Sequence, residues 1–425
     1  MFTVLRTSWP LLLGVMLLMV GNGMQGTLLG IRGGIEGIGT YQMSIVMSSY
    51  FAGFLLGSQL TPVMIRRVGH VRVFAALGSM ISAVLILYAA VPNWMAWSAM
   101  RVLIGFSFSG VYITAESWLN AQSTNETRGQ ALSAYMIVQM IGIIAGQMLM
   151  NTADPAGWLL FVIPSVLVSL AFTPILLSVA PAPTFAEVQR LNFRKLFAAS
   201  PLGVVGMFLM GGTFSALFGM ASVWGTRAGL SVSEISTFVA AIYFGGLVAQ
   251  YPIGWLSDRM DRRLLILMVA AVGAVSMLAA FLLDPGFWVL VFLGAVIGGV
   301  ANPLYALLVA YTNDYLDNSD MTAASGGLLF VNGIGAMSGP PVTGWLMETT
   351  GNGGFFLYVA LLMIGVAGYA GWRMTRRRAM APEDTGAFAV LSPSATPLAV
   401  GEALEAAQDD SLSASHGPGA MHSAG

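Results

Sequence analysis

Ile141-Gly142-Ile143-Ile144-Ala145-Gly146 has a counterpart later in the chain, Ile334-Gly335-Ala336-Met337-Ser338-Gly339, at an offset of 193. Each lies in an apolar run long enough to cross a bilayer, for which about 20 residues suffice. The same offset carries Tyr112 onto Tyr305, Asn120 onto Asn313 and Gln139 onto Asn332. Near an offset of 192, Arg66-Arg67-Val68-Gly69 falls on Asp258-Arg259-Met260-Asp261. Short matches are cheap in apolar sequence. A shared register across most of the chain is better explained by duplication of a helical bundle.

Composition agrees. Of 425 residues, 56% are hydrophobic and 9% charged, against about 25% charged in ordinary soluble proteins. Mean hydropathy is +0.78. The expected fold is an all-α integral membrane protein with twelve transmembrane helices in two pseudo-symmetric six-helix bundles. The first six runs are Pro10–Ile31, Tyr41–Ile65, Val71–Val91, Trp94–Asn120, Gln130–Thr152 and Gly157–Val179. The second six are Leu202–Thr226, Ile235–Leu256, Leu264–Leu283, Phe287–Tyr311, Ala323–Leu346 and Phe355–Trp372. Such runs are too long, and too lacking in alternation, for a β-barrel. The first run is too long for a signal peptide and reads as a retained helix.

Residues 1–180 are therefore expected to form the first bundle and 202–375 the second. A linker over 181–201 joins them, and a disordered tail, rich in Ala, Ser, Pro and Gly, runs over 376–425. With both termini cytoplasmic, 15 of the 18 Lys and Arg residues fall inside. The positive-inside rule selects that topology.

Much chemistry is excluded. There are no cysteines and only three histidines, two of them (His416 and His422) in the tail. Thiolate metal sites, a histidine-rich zinc site and a Ser/His/Asp triad lack material. No phosphate-binding glycine loop is present. No cofactor, metal or nucleic acid is expected, and the chain does not read as an enzyme.

Gly254-Trp255-Leu256-Ser257-Asp258-Arg259-Met260-Asp261-Arg262-Arg263, between the eighth and ninth runs, resembles the loop motif of the major facilitator superfamily. Asp261 stands where that motif usually has glycine. The first-half copy, with Arg66, Arg67, Gly69 and Arg72, is degenerate, since Arg66 occupies the aspartate position. Arg101-Val102-Leu103-Ile104-Gly105 is similar to the family's intramembrane arginine motif, and Glu126-Thr127-Arg128-Gly129-Gln130-Ala131 to its loop between helices four and five. Ser48-Ser49-Tyr50-Phe51-Ala52-Gly53 and Glu116-Ser117 look most like the bacterial YcaD-like branch. The resemblance covers about residues 9–375. It implies a transporter of the bacterial inner membrane, working by alternating access, without naming a substrate. The loop residues Gly254, Asp258, Arg259, Arg262 and Arg263 read either as a conformational latch or as topogenic charge.

Charge inside a bilayer costs at least about 2.5–3.5 kcal/mol and marks function by default. Arg101, Gly105, Phe108, Tyr112 and Glu116 share one helical face, which reads as a polar stripe along a transport path. Arg101 and Glu116 stand about 22 Å apart along it and cannot pair within the helix. Asn22, Gln139, Asn302 and Asn332 lie near mid-span in both halves. Amides facing lipid would leave donors and acceptors unmet, so all four should point inward. Asn22, Arg101, Tyr112, Gln139, Asn302, Tyr305 and Asn332 are the candidate substrate-binding set, and Glu116 is the proton-coupling candidate. Tyr112, Tyr305, Phe214, Phe218 and Trp224 are available as aromatic walls, and Tyr243 and Thr213 lie at similar depth. Three Asp residues (Asp314, Asp317 and Asp320) should meet basic loops of the other half. The expected partners are a small-molecule substrate, protons and the lipid bilayer, with the chain a monomer. A facilitator without ion coupling, or a receptor with a transporter's shape, is the alternative.

Overall fold

The computed structural model describes residues 2–124, 127–176, 193–316 and 318–376, together with 386, 388, 389, 391, 399–401 and 403. Among them every regular element is helical. The first half contains α1 (Phe2–Ile35), α2 (Thr40–Val68), α3 (His70–Ala90), α4 (Trp94–Gln122), α5 (Arg128–Leu149) and α6 (Leu159–Leu176). A short α7 (Phe193–Ala199) leads into the second half. There α8 (Pro201–Ser215), a π-helical turn (Ala216–Met220) and α9 (Ala221–Arg227) form one interrupted rod. Then come α10 (Val232–Ser257), α11 (Arg262–Leu283), α12 (Phe287–Asn313), α13 (Asn318–Thr350) and α14 (Gly354–Met374).

Ten of these stretches are long and apolar enough to cross a membrane. The expected sixth and eleventh spans lie in α6 and α13. The first offers a shorter apolar stretch, and the second mixes its apolar residues with Asn, Ser, Thr and Gly. Helix starts follow ordinary capping. Asn93 accepts from the Met95 and Ala96 amides, and Ser231 with Glu234 forms a capping box.

The duplication is visible in the packing. In the first half, a Cβ at Gly53 would collide with the Val102 carbonyl, and one at Gly105 with the Tyr50 carbonyl. In the second half, Gly245 abuts Ala295 and Gly298 abuts Ile242 in the same way. These are the same offsets, 192 and 193, that relate the two halves in sequence. Backbone-on-backbone contact of this kind is the small-residue packing that holds helices together in lipid. Here it locks α2 to α4 and α10 to α12. Gly105 is thus a packing residue, and the polar stripe expected along α4 is interrupted there.

The halves meet through α2 with α13, α5 with α10, and α1 with α9. Call the end carrying the α1–α2 and α13–α14 turns the distal end, and the opposite one the linker end. Toward the distal end, the Tyr41 amide donates to Glu348 (3.0 Å), Ser48 Oγ to the Met337 carbonyl (2.5 Å), Arg227 to Thr40 Oγ1 (3.0 Å), and Asn151 to Ser236 Oγ (3.2 Å). Gly30 admits Ser222, and Gly344 admits Ser44, where a Cβ would not fit. The distal end is drawn shut across both halves.

At the linker end, the loop motif is ordered by its own charges. Asp261 caps α11 by accepting from the Arg263 amide (2.9 Å) and pairs with the Arg263 guanidinium (3.0 Å). An N-cap accounts for aspartate where the family motif has glycine. Arg262 is buried and pairs with Asp314 at 2.6 Å, while Asp258 is 3.8 Å away. Burial outweighs Arg262 and the Gly386 amide and holds the Asp314 carboxyl above its ordinary value.

Asp314 and Asp320 do not meet the opposite bundle as expected among the described residues. Asp314 pairs with Arg262 in its own half, and Asp320 with Lys195 of α7 (2.6 Å), while Asp317 lies outside the described residues. Shortness of the α12–α13 turn keeps both near α11 and α7. Glu126 and most of 181–201 also lie outside them.

The described tail residues differ from the disorder expected of their composition. The Gly386 amide donates to Asp314 (3.1 Å), the Phe388 amide to Asp258 (3.0 Å), and Gln250 to the Leu391 carbonyl (3.4 Å). Arg262 donates to the Gly386 carbonyl. The Phe388 ring covers Gly254, and Ala389 and Leu391 are buried. Polar anchors on α10 and α11 and at the ends of α10 and α12 seat these residues.

Candidate functional site

A cavity with about 1290 Å³ of empty space, partly continuous with solvent, lies between the halves at mid-depth. Both halves line it. Asn22, Gln25, Tyr50, Phe54, Arg101, Tyr112 and Gln139 face it from the first, and Phe214, Phe218, Tyr243, Asn302 and Asn332 from the second. Six of the seven residues singled out from the sequence therefore converge here. Tyr305 does not line it. It is 1% exposed and stands edge-on behind Phe214, with ring centroids 6.0 Å apart.

On the first-half side the polar groups form a directed chain. Arg101 Nη1 donates to Gln25 Oε1 (2.6 Å), Gln25 Nε2 to Asn22 Oδ1 (3.2 Å), and Asn22 Nδ2 to Tyr112 Oη (3.0 Å). Tyr112 Oη ends it on the Met19 sulfur (3.4 Å). Each bond polarises the next in such a row. Arg101 is 3% exposed. Among the described residues its Nη2 reaches only the Met47 sulfur (3.2 Å), and its Nε has no partner. The Tyr50 ring lies 4.9 Å from the guanidinium carbon and adds a cation–π contact. No acidic side chain lines the cavity among the described residues.

The amides divide by role. Asn332 donates to the Met207 carbonyl (3.1 Å) and ties α13 to α8. Asn302 donates to the Gly298 carbonyl one turn back in its own helix (3.3 Å). Gln147 joins α5 to α1 through Gly23 (2.6 Å) and Thr27 (3.0 Å). Gln139 lines the cavity and has no hydrogen bond to the described residues.

The second-half wall is aromatic. Phe214 and Phe218 are stacked at 5.8 Å, and Phe218 and Tyr243 at 4.5 Å. Phe218 sits on the π-helical turn, and such turns re-aim side chains and cluster at functional sites. Trp224 is not part of the wall. It packs on Phe238, Phe355 and Phe356, because α9 turns that face toward α10 and α14.

Glu116 is 1% exposed and accepts from Tyr135 Oη (3.3 Å), away from the cavity lining. It does not reach the surface. Arg66, Arg67 and Arg72 are exposed around Gly69, whose φ of 84° turns the chain from α2 into α3. Arg259 stacks on Trp255 at 4.2 Å.

Sequence reasoning overlooked Gln25, the direct partner of Arg101. Its signal was there: Gln25 lies three residues after Asn22, on the same helical face, and a buried guanidinium needs an acceptor. Tyr50 and Phe54 gave no polar signal and were indistinguishable from packing.

Known proteins agree with this architecture. The profile of the Major Facilitator Superfamily matches residues 11–246 and 203–407. The uncharacterized MFS-type transporter YcaD of Escherichia fergusonii is 27% identical over 364 residues, which is 84% of this chain and 92% of that protein. The MFS-type transporter Ent638_1421 of Enterobacter sp. (strain 638) is 28% identical over 368 residues, 85% and 94% respectively. Among solved structures, the nucleoside transporter NupG superposes with a TM-score of 0.70 at 14% identity, covering 88% of this chain and all of that one. A bacterial homolog of the human lysosomal transporter Spinster, inward-facing and unoccupied, superposes at 0.67 with 16% identity, covering 96% and 95%. At such identities the structures speak for the fold alone. With two helical halves, a shared central cavity and a superfamily profile matched over most of its length, the chain belongs to the major facilitator superfamily and is a membrane transporter, not an enzyme.

Proposed function

We propose that the protein is a secondary transporter of a small organic solute, which it carries by rocking its two halves about the central cavity. The carrying observation is the cavity itself: one mid-depth space, lined by both halves, with buried polar groups concentrated in it. Asn22, Arg101, Tyr112, Gln139, Asn302 and Asn332 are its contact residues in this reading, and Tyr305 supports Phe214. One chain supplies the whole lining, which favours a monomer. The distal hydrogen bonds and glycine contacts belong to a gate that is shut in this conformation. The loop motif and its copy around Arg66, Arg67, Gly69 and Arg72 are the linker-end counterpart. The positive-inside rule places that end, and both termini, in the cytoplasm of a bacterial cell.

The test is release from sealed vesicles. Reconstituted protein should release particular solutes from a mixed load of small metabolites faster than protein-free vesicles do. Since the chain has no cysteine, Ser48→Cys with Met337→Cys can be cross-linked across the distal gate. Cross-linking should stop release, and cleavage of the linker should restore it. Release that continues through a cross-linked gate overturns rocking.

Proton coupling belongs to Glu116 in this proposal, because it is the acid buried inside a span among the described residues. Glu116→Gln should abolish accumulation driven by a pH gradient and leave solute exchange intact. A facilitator would show no pH-driven accumulation in either form.

A further inference from the structure

The charges of the cavity do not balance. Arg101 is cationic at any accessible pH, and no acidic side chain lines the space with it among the described residues. Glu116 is no counterion, since fifteen residues of helix separate them by about 22 Å. The guanidinium meets a neutral amide, a thioether and a tyrosine face, and the buried Tyr88 phenol stands close enough to act on it electrostatically. A thioether is a weak acceptor, so Nη2 is poorly satisfied, and Nε has no partner among the described residues. A buried guanidinium with two unfulfilled donors suits the two oxygens of a carboxylate.

The rest of the lining has a different chemistry. The second half presents Phe214, Phe218 and Tyr243 as a stacked row. Asn302 and Asn332 on that side are neutral, and each gives one N–H to a backbone carbonyl. The polar head and the apolar wall therefore come from opposite halves.

We infer that the cavity takes a singly charged organic anion with a flat apolar body, its carboxylate on Arg101 and its body against Phe214, Phe218 and Tyr243. This rests on the reading of the cavity as the substrate site. A second negative charge would meet no second cation. An ammonium group would have to displace or oppose Arg101. A ligand that touches Arg101 on one half and the aromatic row on the other also ties its own binding to the relative position of the halves.

The test uses the full-length protein with isosteres that differ in charge. Phenylacetate, phenylacetamide, 2-phenylethylammonium and phenylmalonate are compared by isothermal titration calorimetry, and 2-naphthylacetate with its amide extends the apolar body. The carboxylates should bind about 10- to 150-fold more tightly than their amides, the range for one charge-assisted hydrogen-bonding group. The ammonium and the dianion should bind more weakly than phenylacetate. Arg101→Gln should erase the preference of acid over amide, and Phe218→Ala should weaken both members of a pair alike. The wild-type comparison stands alone if Arg101→Gln does not fold. Equal affinity of acids and amides, preference for the ammonium, or no binding by any carboxylate overturns the inference. Vesicle flux separates it from the transport reading. Anions that bind and do not cross leave the anion site standing and remove transport. A neutral or cationic solute that crosses, with no anion preference, does the reverse.

Discussion

Gly30 is the position at which the two-state account is most exposed to test. A Cβ added there would land on Ser222 Oγ, 2.8 Å from Ser222 Cβ and 3.1 Å from the Val223 nitrogen. Ser222 belongs to the other half, so the clash exists only while the distal gate is shut. Overpacking of this kind costs about 1–3 kcal/mol. Alanine is also a better helix former than glycine by about 1 kcal/mol, and that gain applies in both states. Gly30→Ala should therefore leave folding intact and move the open/shut ratio by about 5- to 150-fold. The absence of native cysteine makes the readout simple. Ser44→Cys reports the gate, since Ser44 is fully buried against Gly344. Ser276→Cys, buried within α11, reports general loosening. Maleimide labelling of the first should accelerate by that factor in the Gly30→Ala background, and labelling of the second should not change. Ser222→Gly removes the colliding atoms and should reverse the effect. Unchanged labelling at position 44, or equal acceleration at 276, would falsify the gate.

Further predictions follow from buried groups with few partners. Gln25→Leu strips Arg101 of its strongest acceptor and should cost about 1–3 kcal/mol, read as a lowered unfolding midpoint in detergent. Arg262→Met leaves Asp314 buried without its cation and should cost about 3–5 kcal/mol, and Arg262→Met with Asp314→Leu should recover most of it. A double mutant as unstable as the single one would show that the pair is not what matters. Gly53→Ala and Gly298→Ala both drive a Cβ into backbone and should lower the yield of folded protein alike. Gly286→Ala, with nothing within 4 Å, should not. Phe388→Ala should bare Gly254 and speed proteolysis of the tail, seen as earlier truncation on gels.

Legibility of the fold varied with the kind of signal. Ten of the twelve expected spans are legible because lipid imposes length and apolarity on a crossing, while α6 and α13 carry the other two on shorter or more polar stretches. The repeat registers then reappeared as matched glycine seams, Gly53 with Gly105 and Gly245 with Gly298. Cavity residues were readable where polarity sits in an apolar run, as at Asn22, Arg101, Gln139, Asn302 and Asn332. Tyr305 was drawn in by the repeat, but Phe214 occupies the space in front of it. Gln25 and the π-helical turn were not found, because one depends on the partner of Arg101 and the other on backbone geometry. The seating of the tail depends on acceptors at Asp258 and Asp314 that its own composition does not reveal.

The central claim is that closing one end of the bundle opens the other. Spin-label pairs read both ends at once. Val91→Cys with Ala228→Cys reports the distal end, and Val68→Cys with Trp372→Cys the linker end. The distribution of inter-label distances would be measured in each pair with and without Gly30→Ala. The account predicts that the distal distance lengthens while the linker-end distance shortens. Distances that stay fixed, or that lengthen at both ends together, contradict it.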